Sequence, residues 1–97
     1  VSDDAEVEID QAVEWIGRER GENAALSFLE AVYGAFQLLA RHPEAGRRRA
    51  DLLTDVRAFP VHSYLVIYRE HASHVSISRV IHQKRDLKKA LKKSPER

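Results

Sequence analysis

The 97 residues are 43% hydrophobic and 32% charged, the balance of a single soluble globular domain (1–97) and not of a disordered tail. There is no cysteine, which excludes disulfides and thiolate metal sites, and no apolar run approaches the ~20 residues a membrane helix needs. The net charge of +1 conceals a division: residues 1–40 hold nine acidic and two basic side chains (−7), and residues 41–97 hold fourteen basic and six acidic (+8).

That asymmetry fits two situations: a basic end that meets an acidic partner or nucleic acid, or two halves that neutralise each other in the fold. The opening Val1-Ser2-Asp3-Asp4 is acidic where a signal peptide is basic. Together with the missing cysteines, it makes a cytoplasmic protein the expectation.

The first predicted helix runs from Ser2 to about Arg20. Ser2 and Asp3 suit its N-cap, and the acidic first turn complements the positive end of the helix dipole. Ala5, Ile9, Ala12, Val13 and Ile16 form one apolar stripe, and Gly21 is a stop signal. A second helix, from about Asn23 to Ala40, carries a stronger stripe of Ala25, Phe28, Leu29, Val32, Phe36 and Leu39. The link is so short that the two helices (1–40) should form an antiparallel hairpin. His42-Pro43-Glu44-Ala45-Gly46 reads as a loop, and Arg47-Arg48-Arg49 as a solvated basic continuation of it.

Past residue 50 the periodicity changes. Val56–Val61 reads as a strand, with Pro60 marking an edge or a bulge. Tyr64–Arg69 is β-branched and aromatic, residues 71–74 form a turn, and Val75–His82 alternates before becoming apolar on both faces. A short basic helix over 86–93 follows. The expected architecture is α+β: a helical hairpin packed on a three-stranded antiparallel sheet (53–83), with a short C-terminal helix.

Three stretches in this order resemble the RelE/ParE toxin superfamily, most of all its ParE branch. They are Ala5…Ile9…Val13-Glu14-Trp15-Ile16; Leu39-Ala40-Arg41-His42-Pro43-Glu44-Ala45-Gly46-Arg47; and the run from Val56 to Asp86. The last includes Tyr68-Arg69 and Arg79-Val80-Ile81-His82-Gln83-Lys84-Arg85-Asp86. Superfamily members usually begin with a strand before the first helix. That strand is missing here, which leads one to expect an unpaired sheet edge open to a strand from another chain.

The resemblance implies a type II toxin with no cofactor, neutralised by a ParD-like antitoxin whose amphipathic C-terminal segment wraps it. DNA gyrase is the implied target. The alternatives are a ribosome-dependent endoribonuclease of the RelE type, and a non-toxic module that keeps only the antitoxin groove. RelE-like nucleases resemble one another in carrying an arginine where Leu65 stands and a tyrosine where Leu91 stands. Leucine supplies neither a cation for the phosphate nor a proton donor. The resemblance therefore points to inhibition by binding, without catalytic residues.

Arg79, His82, Lys84, Arg85, Lys88 and Lys89 are the candidates for a target or antitoxin surface, and direct nucleic-acid contact is open to the same basic end. For His82 the simpler role is a hydrogen-bonded histidine at a strand end; for Arg79 it is an ion pair with Asp86; for the lysines it is a solvated helix face. Trp15, Tyr33, Tyr64 and Tyr68 are groove or core candidates. His71 and His74 have an H-x-x-H spacing but no third ligand nearby, so no metal site is expected.

Overall fold

The computed structural model describes residues 1–85 and 87–92. In chain order these form α1 (Asp3–Arg20), α2 (Glu22–Arg41), a single 3₁₀ turn (Pro43–Ala45), β1 (Arg47–Arg48), β2 (Arg57–Val61), β3 (Tyr64–Glu70), β4 (Val75–His82) and α3 (Leu87–Lys92). No described helix is long and apolar enough to cross a membrane.

The helical hairpin follows from local chemistry. The Ser2 hydroxyl caps α1 by accepting from the Ala5 N–H at 3.0 Å, and Asp3, Asp4 and Glu6 occupy the first turn. Gly21, at φ +100°, ends α1 and is the only residue between the two helices. Ala5, Ile9, Ala12 and Ile16 of α1 and Ala25, Phe28, Val32, Ala35 and Leu39 of α2 turn inward. Val13, Leu29 and Phe36 sit half-buried at the margin of the same core.

The sheet is an antiparallel meander in the order β1-β2-β3-β4. Its three longer strands are those expected. The fourth, β1, corrects the reading of the basic loop: Arg47 and Arg48 pair with Ala58 and Arg57. Between Ile67 and Tyr68 the register against β4 slips by one residue, from Ile67↔Arg79 to Tyr68↔Ile77, so Ser78 has no opposite number. This bulge explains why the alternation of β4 breaks where it does.

Both faces of the sheet are covered. Val61, Val66, Tyr68, Ile77 and Val80 pack against the helical hairpin. On the other face Val56, Ala58 and Ile67 meet Leu52, Leu53 and Leu65, while Ile81 meets Ala90 and Leu91 of α3 and the same two leucines. The loop between β1 and β2 therefore roofs the second face together with the last helix.

No described strand pairs with the outer edge of β4, as expected, but Ser2 and Glu8 take up three of its backbone groups. The Ser2 N–H donates to the Ile77 carbonyl (2.9 Å), and the Ser2 hydroxyl donates to the carbonyl of the bulged Ser78 (2.6 Å). One oxygen of Glu8 accepts the Val80 N–H (2.8 Å), and the other accepts from the Arg79 guanidinium, whose Nη1 also donates to the Ala90 carbonyl. The N-cap residue and one side chain of α1 thus satisfy strand groups that would otherwise invite another strand. Arg79 pairs with Glu8; the partner expected for it, Asp86, lies outside the described residues.

A second organising contact explains the Pro43–Gly46 motif. The Tyr68 hydroxyl donates to the Pro43 carbonyl (2.6 Å) and accepts the Gly46 N–H (2.8 Å). A Cβ at residue 46 would overlap the tyrosine hydroxyl and ring, so only glycine fits. Arg57 seals the same loop from the sheet, donating to the Gly46 carbonyl at 2.7 Å.

Candidate functional site

The end of β4 and the β2–β3 turn come together at the end of the hairpin where Gly21 joins the helices. His62 and Ser63 are the two residues of that turn, and His62 holds φ +53°, a conformation usually left to glycine at this position. The chain after β4 folds back onto the turn. The Gln83 N–H donates to the Ser63 carbonyl (2.8 Å), the Arg85 N–H to the His82 carbonyl (3.1 Å), and His82 Nδ1 accepts the Lys84 N–H (3.1 Å). His82 thus has the structural role that a strand-end histidine suggests, and the turn it braces leaves Lys84 and Arg85 exposed.

A row of rings crosses this end of the molecule. His82 meets Tyr64 edge-on at 5.0 Å, Tyr64 meets Phe28 at 5.0 Å, and Phe28 meets His62 at 6.0 Å. Beside the row lies a cleft of about 190 Å³, bordered by Trp15, Ile16 and Arg20 of α1, Ala24, Ser27 and Phe28 of α2, and His62, Ser63, Tyr64 and His82. A second cleft, about 180 Å³, shares Tyr64 and His82 and adds Glu8, Gln11, Ala12 and Arg85. Burial raises the Tyr64 phenol above its ordinary pKa, so it remains a neutral hydroxyl.

The sequence candidates separate clearly. His82, Lys84 and Arg85 gather at this end, and Tyr64 joins them. Lys88 and Lys89 lie exposed on α3. Arg79 is a correction: it is 8% exposed, locked to Glu8, and so belongs to the interior and not to a surface. Tyr68 is fully buried, whereas Trp15 and Tyr33 are 44% and 49% exposed. Tyr33 stands on α2 against Phe36 and borders neither cleft.

The positions relevant to RNA cleavage are packed. Leu65 joins the apolar cluster around Ile67, and Leu91 is 1% exposed against Ile81. His82 and Arg85 border one cleft, but the carboxylate beside them, Glu8, is already committed to Arg79 and Val80. His71 and His74 stack at 4.5 Å, with His71 at 2.9 Å from the Ser76 hydroxyl. Among the described residues no three His, Asp or Glu side chains gather to hold a metal.

Elsewhere, Arg48, Arg57 and Arg69 border a cleft of about 250 Å³ together with Asp55, Glu70 and His71. Arg57 is held by Glu70 (3.6 Å), and nearby Arg49 chelates Asp51 through two 3.0 Å bonds. Much of this basic face is therefore neutralised internally. Sequence reasoning missed Glu8, Arg20 and His62. Glu8 is one of several acids on an acidic helix, and a histidine beside a serine carries no hairpin-turn signal.

Comparison with known proteins adds two findings. The family model described as "ParE toxin of type II toxin-antitoxin system, parDE" matches residues 1–87. A solved structure, "Chromosomal ParDE TA system from P. aeruginosa", is similar in fold with a TM-score of 0.71 at 16% identity, over 84% of this chain and 89% of that one. No curated protein matches the sequence.

Proposed function

Because the chain belongs to the ParE toxin family of type II toxin–antitoxin systems, we propose that it inhibits DNA gyrase and is held inactive by a cognate ParD-like antitoxin. The observation that supports binding over cleavage is the placement of Leu65 and Leu91. Both pack into apolar clusters on the second face of the sheet, where RNA-cleaving relatives would present a cation and a hydroxyl. The surface features that remain suit recognition: an aromatic cleft, exposed Lys84 and Arg85, and exposed Lys88 and Lys89 on α3.

A supercoiling assay with purified gyrase tests the proposal. The full-length chain should block supercoiling, and its antitoxin should restore it; undiminished supercoiling at saturating toxin rejects gyrase as the target. One observation favours a second reading, ribosome-dependent RNA cleavage: His82 and Arg85 share a cleft. Primer extension on translated messages, with the wild type and His82→Ala compared, decides that reading, and uncut messages remove it.

A further inference from the structure

We infer that the cleft between Trp15 and the His62 turn receives one large apolar side chain from an acidic segment of the antitoxin. The inference rests on the antitoxin reading given above and identifies the contact point.

Three observations carry it. Trp15, the chain's single tryptophan, is 44% exposed on the rim of a cleft whose floor is Phe28 and Tyr64. An exposed indole beside a buried Phe28 and a half-buried Tyr64 is the composition of a site where a partner's anchor residue enters. The volume, about 190 Å³, is also suitable, since a cavity of ~150 Å³ lined by apolar side chains accommodates a benzene ring.

The second observation is His62. It holds a left-handed conformation at a turn position where glycine would be unstrained, and its ring extends the aromatic wall. Strain of this kind concentrates at ligand clamps, where the side chain is worth more than the backbone it distorts.

The third is charge. Arg20 borders the cleft, and the exposed Lys84 and Arg85 follow His82 at its other side. Among the described residues none of these three has an ion-pair partner. Glu8, the acidic side chain bordering the adjoining cleft, is neutralised by Arg79. A cleft walled by aromatic rings and rimmed by cations selects an apolar residue flanked by carboxylates.

The test uses Trp15 as its own reporter. The full chain is titrated with the purified antitoxin from its operon, following tryptophan emission and acrylamide quenching, with affinity measured by calorimetry. Binding should shift Trp15 emission to the blue and shield it from acrylamide. Trp15→Ala, and Ser27→Phe, which fills the cleft from its rim, should each weaken affinity by about tenfold or more. His74→Ala, at the opposite end of the sheet, should leave it within about twofold. Circular dichroism melts establish that each variant is folded.

If the antitoxin binds while Trp15 stays quenchable and both cleft variants bind like the wild type, the anchor site is wrong and the antitoxin reading survives. If the antitoxin does not bind the wild-type chain, both fail. Shielding of Trp15 by gyrase alone, or by raising the toxin concentration alone, overturns the inference by assigning the cleft to the target or to a second copy.

Discussion

Glu8 and Arg79, 71 positions apart, form an ion pair whose side chains are only 11% and 10% exposed. The pair is tied further by the Val80 N–H, which donates to Glu8, and by the Ala90 carbonyl, which accepts from Arg79, so α1, β4 and α3 meet at a single ion pair. Removing one partner of such a pair leaves the other charge buried without compensation, which costs about 3–5 kcal/mol. Glu8→Ala should therefore lower stability in urea by about that amount. Glu8→Gln, which keeps an acceptor for Val80, should cost less. Equal midpoints for the two variants would show that charge is not what matters at this junction.

Tyr68 makes a second prediction. Its hydroxyl is the hydrogen-bond partner of both the Gly46 N–H and the Pro43 carbonyl, and Tyr68→Phe leaves both without it, a loss of about 1–3 kcal/mol. Gly46→Ala should be at least as damaging, because the added methyl overlaps the tyrosine ring. Burial, acting against the Gly46 hydrogen bond, holds the phenol above its ordinary pKa of 10.0. A raised folded pKa means that this contribution is complete below the ordinary value and is lost as pH rises through the folded one. The wild type should therefore lose stability on the alkaline side of pH 10, and Tyr68→Phe should lose less.

Arg49 and Asp51 give an acid-side counterpart. The hydrogen bond from Arg49 lowers the Asp51 carboxyl below its ordinary 3.8, and the same bond raises Arg49. A lowered folded pKa means that the associated stability is present above the ordinary value and is lost as pH falls through the folded one. Both side chains are substantially solvated, so the effect on global stability is small. The direct measurement is a carboxyl NMR titration: Asp51 should titrate low in the wild type and in the ordinary range in Arg49→Ala.

Leu91 tests whether the second face of the sheet is a real core. It is 1% exposed against Ile81, and truncation of such a leucine costs about 2–5 kcal/mol. Leu91→Ala should lower the melting temperature, and hydrogen exchange should speed first around Ile81 and the Leu52-Leu53 loop. Unchanged exchange at Ile81 would mean that α3 does not secure this face.

The helices and the three longer strands were legible because each carries a strong period, 3.6 or 2, over enough residues to stand out. β1 was not, since two adjacent arginines have no strand pattern and pair only because β2 passes beside them. The bulge at Ser78 showed in the sequence only as a broken alternation. The contact between Glu8 and Arg79 left no trace, because side chains 71 positions apart meet through topology and not spacing. At the candidate site, His82, Lys84, Arg85 and Tyr64 were legible from the family-like run and the aromatic strand. Trp15 was a groove candidate from its residue type alone; the walls from Arg20 and His62 depend on how the hairpin lies across the sheet, which no local signal encodes.

The contacts of Ser2 and Glu8 on the β4 edge bear on more than folding stability. Two variants of equal stability need not be equally soluble. A lesion at Leu91 loosens a helix over the back of the sheet, whereas one at Glu8 frees the Val80 N–H and one at Ser2 the Ser78 carbonyl on the edge of β4. Variants of Ser2 or Glu8 should therefore aggregate at lower concentration than a Leu91 variant of equal melting temperature, a difference that light scattering reads and a thermal melt does not.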